Sequence, residues 1–366
     1  MPNSYHTQAQ IQRARHLRDL LTELPEMCSD YFLSIEQITS SLTRLSYAYD
    51  LKLFFTYLSE KIPRFGHKPP WEFTPADVNS VTKQELERYA RYLSLYVRNE
   101  SAGETNEIVS HETINHEYGI KRKYASLRGF YKYLFSESLI DANVASLVPL
   151  PKLHERAIIR LDIDEVARML DLAETGTELP KGYQRFHKLT SKRDLALLSL
   201  FLGTGIRISE CVGLNTDDID FEQNAFIITR KGGKEVILYF SDEVADALKD
   251  YLSERNEITP VPGHEDALFL SIQRRRISQR AVENMVKKYA SIAAPLKKKI
   301  SPHKLRSTFG SNLYRETGDI YLVADVLGHT DVNTTRRHYA AMEEDHRRLA
   351  AQKTVLRENP SAGKNG

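Results

Sequence analysis

The sequence predicts a mainly helical α+β chain in two domains, the first all helix and the second helix with a small antiparallel sheet. Three observations carry this reading. Apolar residues recur at helical spacing through residues 1–135 without a strand pattern. VPLPKLHER (148–156) then puts two prolines around a charged patch, as a linker would. Beyond it, AFIITR (225–230) and EVILYF (235–240) are β-branched and aromatic runs flanking Lys231-Gly232-Gly233-Lys234, a hairpin pattern among further helices. The expected division is a domain at 1–150, a linker at 151–158, a second domain at 159–350 and a tail at 351–366.

The first domain opens with a helix over 1–24 that Pro25 ends. A stronger helix starts at Ser40, where Tyr47, Leu51, Phe54, Phe55 and Leu58 make the stripe. Pro63, Gly66, Pro69 and Pro70 force a loop. Thr82-x-x-Glu85 is a capping-box pattern opening a third helix that should run to about Val97. The polar stretch 99–110 reads as a loop. A fourth helix over 113–135 turns Ile120, Tyr124, Leu127, Tyr131 and Leu134 one way and Lys121, Arg128 and Lys132 mostly the other. Basic residues interleaved with tyrosines suit phosphate contact, and a solvated basic face accounts for the pattern equally well.

In the second domain Asp162-x-x-Glu165 and Ser191-x-x-Asp194 open helices, the latter apolar nearly all round and so buried. Gly203 and Gly205 end it, and Arg207 follows in GTGIRISE at a bend where a guanidinium can reach a ligand or pair with Glu210. The Gly-Gly pair reads as a two-residue turn presenting Lys231 and Lys234 at the hairpin tip. Helices follow over 242–255 and 278–292. Ser301-Pro302 is a helix start, with serine as N-cap and proline at the first helical position. His303 and Arg306 then share a helical face, while Leu305, Phe309 and Leu313 face the core. Gly318 stops this helix. A second one, 321–327, is stopped by Gly328, and His329 comes next. Tyr339 lies beyond a polar turn at 330–335. A charged segment from Met342 could form a last helix, and 359–366 reads as a disordered tail.

Composition narrows the classes. The chain has 366 residues, enough for two cores, with 41% hydrophobic and 27% charged residues and a net charge of +2. No apolar run is long enough for a bilayer and no signal-peptide core opens the chain, so a cytoplasmic, non-membrane protein is expected. Two cysteines, Cys28 and Cys211, suggest neither a disulfide framework nor a zinc site. The basic residues cluster at Lys121–Lys123, Arg274–Arg276, Lys297–Lys299 and Arg336–Arg337. Any one cluster is more safely read as a solvated face than as a nucleic-acid contact.

Arg207, Lys231, His303, Arg306, His329 and Tyr339 together can do phosphodiester chemistry. Two arginines can hold both non-bridging oxygens and stabilise a pentavalent transition state. A tyrosine can attack phosphorus, a lysine can protonate the leaving oxygen, and histidines can move protons or bind the phosphate. No Mg²⁺-binding acidic cluster stands out, so no metal or other cofactor is required by this reading.

Arg207 in GTGIRISE, Lys231 in RKGGK, His303-x-x-Arg306 in HKLR, LGH ending at His329, and Tyr339 beyond it resemble the tyrosine recombinase/integrase family, in its order and near its spacings. The resemblance covers 161–348, and the helical first half resembles the family's core-binding domain. RKGGK, SPHKLR and the long N-terminal region look most like Xer-type recombinases that act alone, the XerS-like kind. Two positions depart from the pattern. Tyr339 lies ten residues after His329 where nine is usual, so that His338 takes the usual place. Ser307 stands where a second histidine is common. The resemblance implies a C-shaped clamp on double-stranded DNA, a homotetramer on a specific recombination site, a 3′-phosphotyrosine, and strand exchange through a Holliday junction. It implies Arg207, Lys231, His303, Arg306, His329 and Tyr339 as catalytic residues. Lys121, Arg122, Lys123, Arg128, Arg230, Lys234, Arg274, Arg275, Arg276 and Lys304 are the expected DNA contacts, and an accessory protein is a possible further partner. A Xer resolvase and a mobile-element integrase share this chemistry. A type IB topoisomerase-like enzyme and an inactive DNA-binding relative are the alternatives.

Overall fold

The computed structural model describes residues 5–102, 107–153, 159–230, 233–297, 299–329 and 332, and statements of absence below concern these. The chain divides into two compact units, Met1–Glu155 and Arg156–Gly366.

Unit one is built on α3 (Ser41–Lys61), which packs against α1 (Tyr5–Leu21) and α6 (Glu117–Ser136), with α2 (Glu26–Ser34) also on α6. Ser40 caps α3 by accepting the Thr43 N–H. Leu51, Phe54, Phe55 and Leu58 are buried as the stripe requires, and Tyr47 packs on them partly buried. They meet Ile120, Tyr124, Leu127, Tyr131 and Leu134 of α6 in one core. Tyr124 and Tyr131 are fully buried, so their hydroxyls do not face a phosphate as the interleaved pattern had suggested. A short helix, α4 (Pro75–Asn79), precedes α5 (Lys83–Tyr92), and both carry capping boxes, Thr74–Asp77 and Thr82–Glu85.

The expected run of α5 to Val97 and the loop at 99–110 are corrected. The helix stops at Tyr92, and β1 (Leu95–Ala102) pairs antiparallel with β2 (Glu107–Ile114) in register Leu95↔Ile114. Residues 113–114 belong to this ribbon, so α6 begins at Glu117. In sequence the stretch mixes polar and apolar residues without sustained alternation, so the usual strand signal is missing.

Unit two centres on α9 (Ser191–Thr204), buried nearly all round and in contact with α7 (Ile163–Thr175), α11 (Asp242–Arg255) and α13 (Pro302–Thr317). Asp194, 1% exposed, ties α9 to α12 (Gln279–Ala293) by accepting from Thr190, Arg193, Lys288 and Tyr289. A short helix, α8 (Lys181–His187), stands where no element was expected. The sheet is three-stranded, β3 (Ile219–Asp220), β4 (Ala225–Thr229) and β5 (Glu235–Tyr239), all antiparallel. The two-residue turn is also corrected. The Arg230 N–H donates to Lys234 O at 2.8 Å and the Gly233 N–H to Arg230 O at 3.0 Å. The ladder therefore runs one rung further, leaving three residues in the turn. Gly233 has φ +81°, the left-handed position such a loop needs. Lys234 is thus a rung and not the tip.

Candidate active site

The site is organised by the end of a helix. Tyr314, Val323 and Leu327 are buried together, with Phe309, Leu313 and Ile320 packed on them. This cluster fixes α14 (Ile320–Leu327) against α13. Asp319 caps α14 by accepting the Tyr321 and Leu322 N–H groups. Gly328, at φ +59°, ends it, and the His329 N–H closes back on Ala324 O at 2.9 Å. The last carbonyls of a helix have no partner within it and carry the negative end of its dipole. Here arginines bind them.

Arg207 sits at the N-cap of α10 (Ile208–Gly213), reached through the left-handed Gly205, φ +63°, that stops α9. A side chain at 205 would press on Phe309 and Leu327, which is why only glycine lets the bend pass. Glu210, 6% exposed, accepts from the Arg207 backbone N–H at 2.9 Å and from its Nη1 at 2.8 Å. Arg207 Nη2 donates to Gly328 O at 2.9 Å and to Leu327 O at 3.3 Å.

Arg306, 5% exposed, reaches the same carbonyl from α13. Its Nη2 donates to Leu327 O and its Nη1 to Gly205 O. Two guanidiniums from different helices therefore share one acceptor at the residue two before His329. Arg306 is buried, whereas His303, three residues earlier on α13, is exposed. The shared helical face thus runs from solvent inward. Ser307, where a second histidine is common, donates its hydroxyl to His303 O at 3.0 Å.

Arg230 is the third guanidinium at this helix end, donating Nη2 to Val326 O at 2.7 Å and Nη1 to Asp325 O at 3.4 Å. Burial lowers its pKa, with neighbouring Arg207 acting the same way and Glu210 and Asp325 opposing. It had been expected to contact DNA, and its fork lies on α14.

Lys231, His338 and Tyr339 lie outside the described residues, as do the polar turn at 330–335 apart from Val332, the charged segment from Met342 and the tail. Arg207, Arg306 and His329 are brought to one helix end. Glu210 and Gly328 complete that end. The i, i+3 spacing in Arg-x-x-Glu was the available signal for Glu210; nothing local in the sequence marks Gly328 as more than a helix stop.

The expected DNA contacts divide. Arg122 and Lys123 donate to Asp50, itself 2% exposed. Arg128 donates to Val148 O at 2.7 Å and Ala145 O at 3.3 Å. Arg276 donates to Leu214 O, Val212 O and Asn215. Lys121, Lys234, Arg274 and Arg275 are exposed, and Lys304 is half-buried. No cluster of three or more metal-ligating side chains occurs among the described residues. No helix among them is long and apolar enough to cross a membrane.

The phage integrase family profile matches residues 160–346. The tyrosine recombinase XerC of Caldanaerobacter subterraneus subsp. tengcongensis is 31% identical over 334 residues, 89% of this chain and 85% of that protein. XerC of Syntrophus aciditrophicus is 29% identical, over 85% of this chain and 91% of its own. Among solved structures, XerH site-specific recombinase in a post-cleavage complex with palindromic difH substrate superposes with TM-score 0.61 at 20% identity. That match covers 87% of this chain and 81% of XerH. The Tn1549 transposon integrase in complex with circular intermediate DNA gives 0.61 at 20%, over 89% and 99%. The last two establish the fold. With the family profile over half the chain and relatives spanning most of its length, the chain belongs to the phage integrase family and is a site-specific tyrosine recombinase, an enzyme that cuts and rejoins DNA.

Proposed function

We propose that the end of α14 is where the scissile phosphate is held. The observation that carries this is the convergence of Arg207 and Arg306 on Leu327 O, two residues before His329. Carbonyl acceptors orient the two guanidiniums, which bring positive charge to this helix end although Arg207 also pairs with Glu210. That charge then meets the non-bridging oxygens and grows in value as the phosphorus becomes pentavalent. Tyr339 attacks phosphorus: its Oη–P bond forms as the P–O5′ bond breaks, giving a 3′-phosphotyrosine and a 5′-hydroxyl. Lys231 supplies the proton to the leaving 5′ oxygen, and His303 and His329 hydrogen-bond the phosphate or relay protons. A second strand's 5′-hydroxyl reverses the step, so two such exchanges pass through a Holliday junction. Four protomers joining two duplexes at a specific site would complete the reaction in the cytoplasm, as a Xer-type resolvase or a mobile-element integrase. Double-stranded DNA fits the solved structures of similar fold, which hold difH substrate or circular intermediate DNA.

Trapping on a nicked suicide substrate tests the nucleophile. Wild type and His338→Ala should yield a protein–DNA adduct on a denaturing gel, and Tyr339→Phe should bind DNA without one. An adduct that survives Tyr339→Phe and disappears in His338→Ala would move the nucleophile to the usual nine-residue spacing.

A further inference from the structure

Arg230 stands apart from the six family positions, yet its guanidinium is held by main-chain carbonyls as those of Arg207 and Arg306 are. It directly follows β4 and is the last described residue before the hairpin tip. Its backbone holds the final rung to Lys234 and accepts the turn-closing bond from Gly233. Its side chain crosses to α14, where Nη1 and Nη2 take the carbonyls of Asp325 and Val326. Arg306 and Arg207 take the next carbonyls, of Leu327 and Gly328. Space for Arg230 depends on Gly328: a Cβ there would overlap the guanidinium. One fork thus ties the base of the hairpin to the helix end that carries the two phosphate arginines and leads into His329.

Lys231 is the next residue in the chain, outside the described residues. We propose that Arg230 is a positioning residue that fixes the hairpin carrying the general acid against the phosphate-binding end of α14. This rests on the reading of Lys231 as that acid. Arg230 acts through its two-pronged hydrogen bonding. A lysine, with one ammonium, cannot span two successive carbonyls in the same plane. A small shift of a catalytic group is enough to slow a proton transfer that must follow the leaving oxygen.

The test is single-turnover cleavage by the full-length chain on two DNAs, one normal and one with a bridging 5′-phosphorothiolate at the scissile bond. The sulfur leaving group departs without a proton. Arg230→Met keeps the aliphatic stem and loses the fork. It should bind site DNA as wild type does, cleave normal DNA at least about tenfold more slowly, and recover most of that loss on the sulfur substrate. Arg230→Lys should behave like Arg230→Met despite its charge, and it serves as the second variant if methionine impairs folding. Equal losses on both substrates would overturn the proposal, because they place Arg230 on transition-state charge or on general stability. Weakened binding with unchanged cleavage of bound DNA would overturn it in favour of a backbone contact, and full activity of Arg230→Lys would show that charge, not the fork, matters. Lys231→Ala on the same pair separates the two claims. Rescue of Lys231→Ala without rescue of Arg230→Met sinks the positioning role alone. No rescue of Lys231→Ala removes the acid assignment itself.

Discussion

Two groups of basic side chains in this molecule are tied down by internal hydrogen bonds, and the partners differ. At the end of α14, Arg207, Arg230 and Arg306 donate to main-chain carbonyls, and Arg207 also pairs with the Glu210 carboxylate. On α6, Arg122 and Lys123 both close on the carboxylate of Asp50. A carbonyl orients a guanidinium and leaves its charge in place. A carboxylate orients it and cancels most of that charge. The first arrangement builds a cationic site ready for an incoming anion. The second builds a strut between α6 and α3. A basic residue's availability for DNA is therefore set by what holds it as much as by its exposure.

The largest effect expected from this contrast is catalytic. Arg207→Ala should lower single-turnover cleavage by about 10²–10³ while changing DNA affinity little, because the interaction lost is strongest in the transition state. Arg306 needs a gentler change, since alanine would take the Arg306 donor from Gly205 O and leave Leu327 O only its longer contact from Arg207. Arg306→Lys should show a cleavage loss of the same order with the fold kept. Parallel cleavage and filter-binding measurements check both. A proportional fall in binding and cleavage would reduce the two arginines to ordinary phosphate contacts and erase the distinction from α6.

Next in size is the strut. Asp50→Asn removes the charge that two cations face and should destabilise unit one by on the order of 3 kcal/mol, because breaking a buried pair leaves uncompensated groups. Thermal unfolding would show it, and cleavage per folded molecule should be unaffected. If Asp50→Asn instead tightened DNA binding without loss of stability, Arg122 and Lys123 would be phosphate contacts held in reserve.

Glu85 sharpens the same point through pH. Burial raises its pKa, but hydrogen bonds from Arg64 and Thr82 outweigh burial and hold it below the ordinary carboxylate value of 4.5. A depressed carboxylate contributes stability above its unfolded pKa and loses it as pH falls through the folded one. Glu85→Gln should therefore cost about 2 kcal/mol near neutrality, and the gap to wild type should close as pH drops below about 4.5. Urea midpoints measured across that range decide it; a gap independent of pH would make the interaction one of shape alone.

The two hairpins show what the sequence could and could not convey. The 225–239 hairpin was legible because β-branched residues alternate around a glycine turn, and Phe226, Ile228 and Leu238 are indeed buried. Its turn length was not, because the Arg230–Lys234 rung depends on hydrogen bonding that Gly-Gly spacing does not determine. The 95–114 ribbon was invisible: its sequence shows no sustained alternation of apolar and polar residues. Capping boxes at Thr82 and Asp162 were readable because their partners lie three residues away, and the helix starts expected at Ser40 and Ser278 are serine caps in the structure. The arginine partners were not. Gly205 O lies 101 residues from Arg306, and Gly328 O lies 121 from Arg207. Residue type and order could nominate the arginines, and only the packing of α14 on α13 says what holds them.

The smallest effect concerns two neighbours on α6. Lys121 is exposed, and Arg128 has its guanidinium on the Ala145 and Val148 carbonyls. If α6 faces DNA, each phosphate neutralised by a mobile lysine releases counterions and adds about 0.9 to the slope of log affinity against log salt. Lys121→Ala should lower that slope by roughly one unit and weaken binding modestly at low salt, leaving the unfolding midpoint alone. Arg128→Ala should do the opposite. Two carbonyls lose their donor, stability falls by about 1–2 kcal/mol, and the salt slope stays put. Both charges are removed by the same substitution, so net charge cannot explain a difference between them. A slope change in Arg128→Ala equal to that in Lys121→Ala would show that internal carbonyl partners do not keep an arginine from DNA, and the rule drawn from the end of α14 would no longer extend to α6.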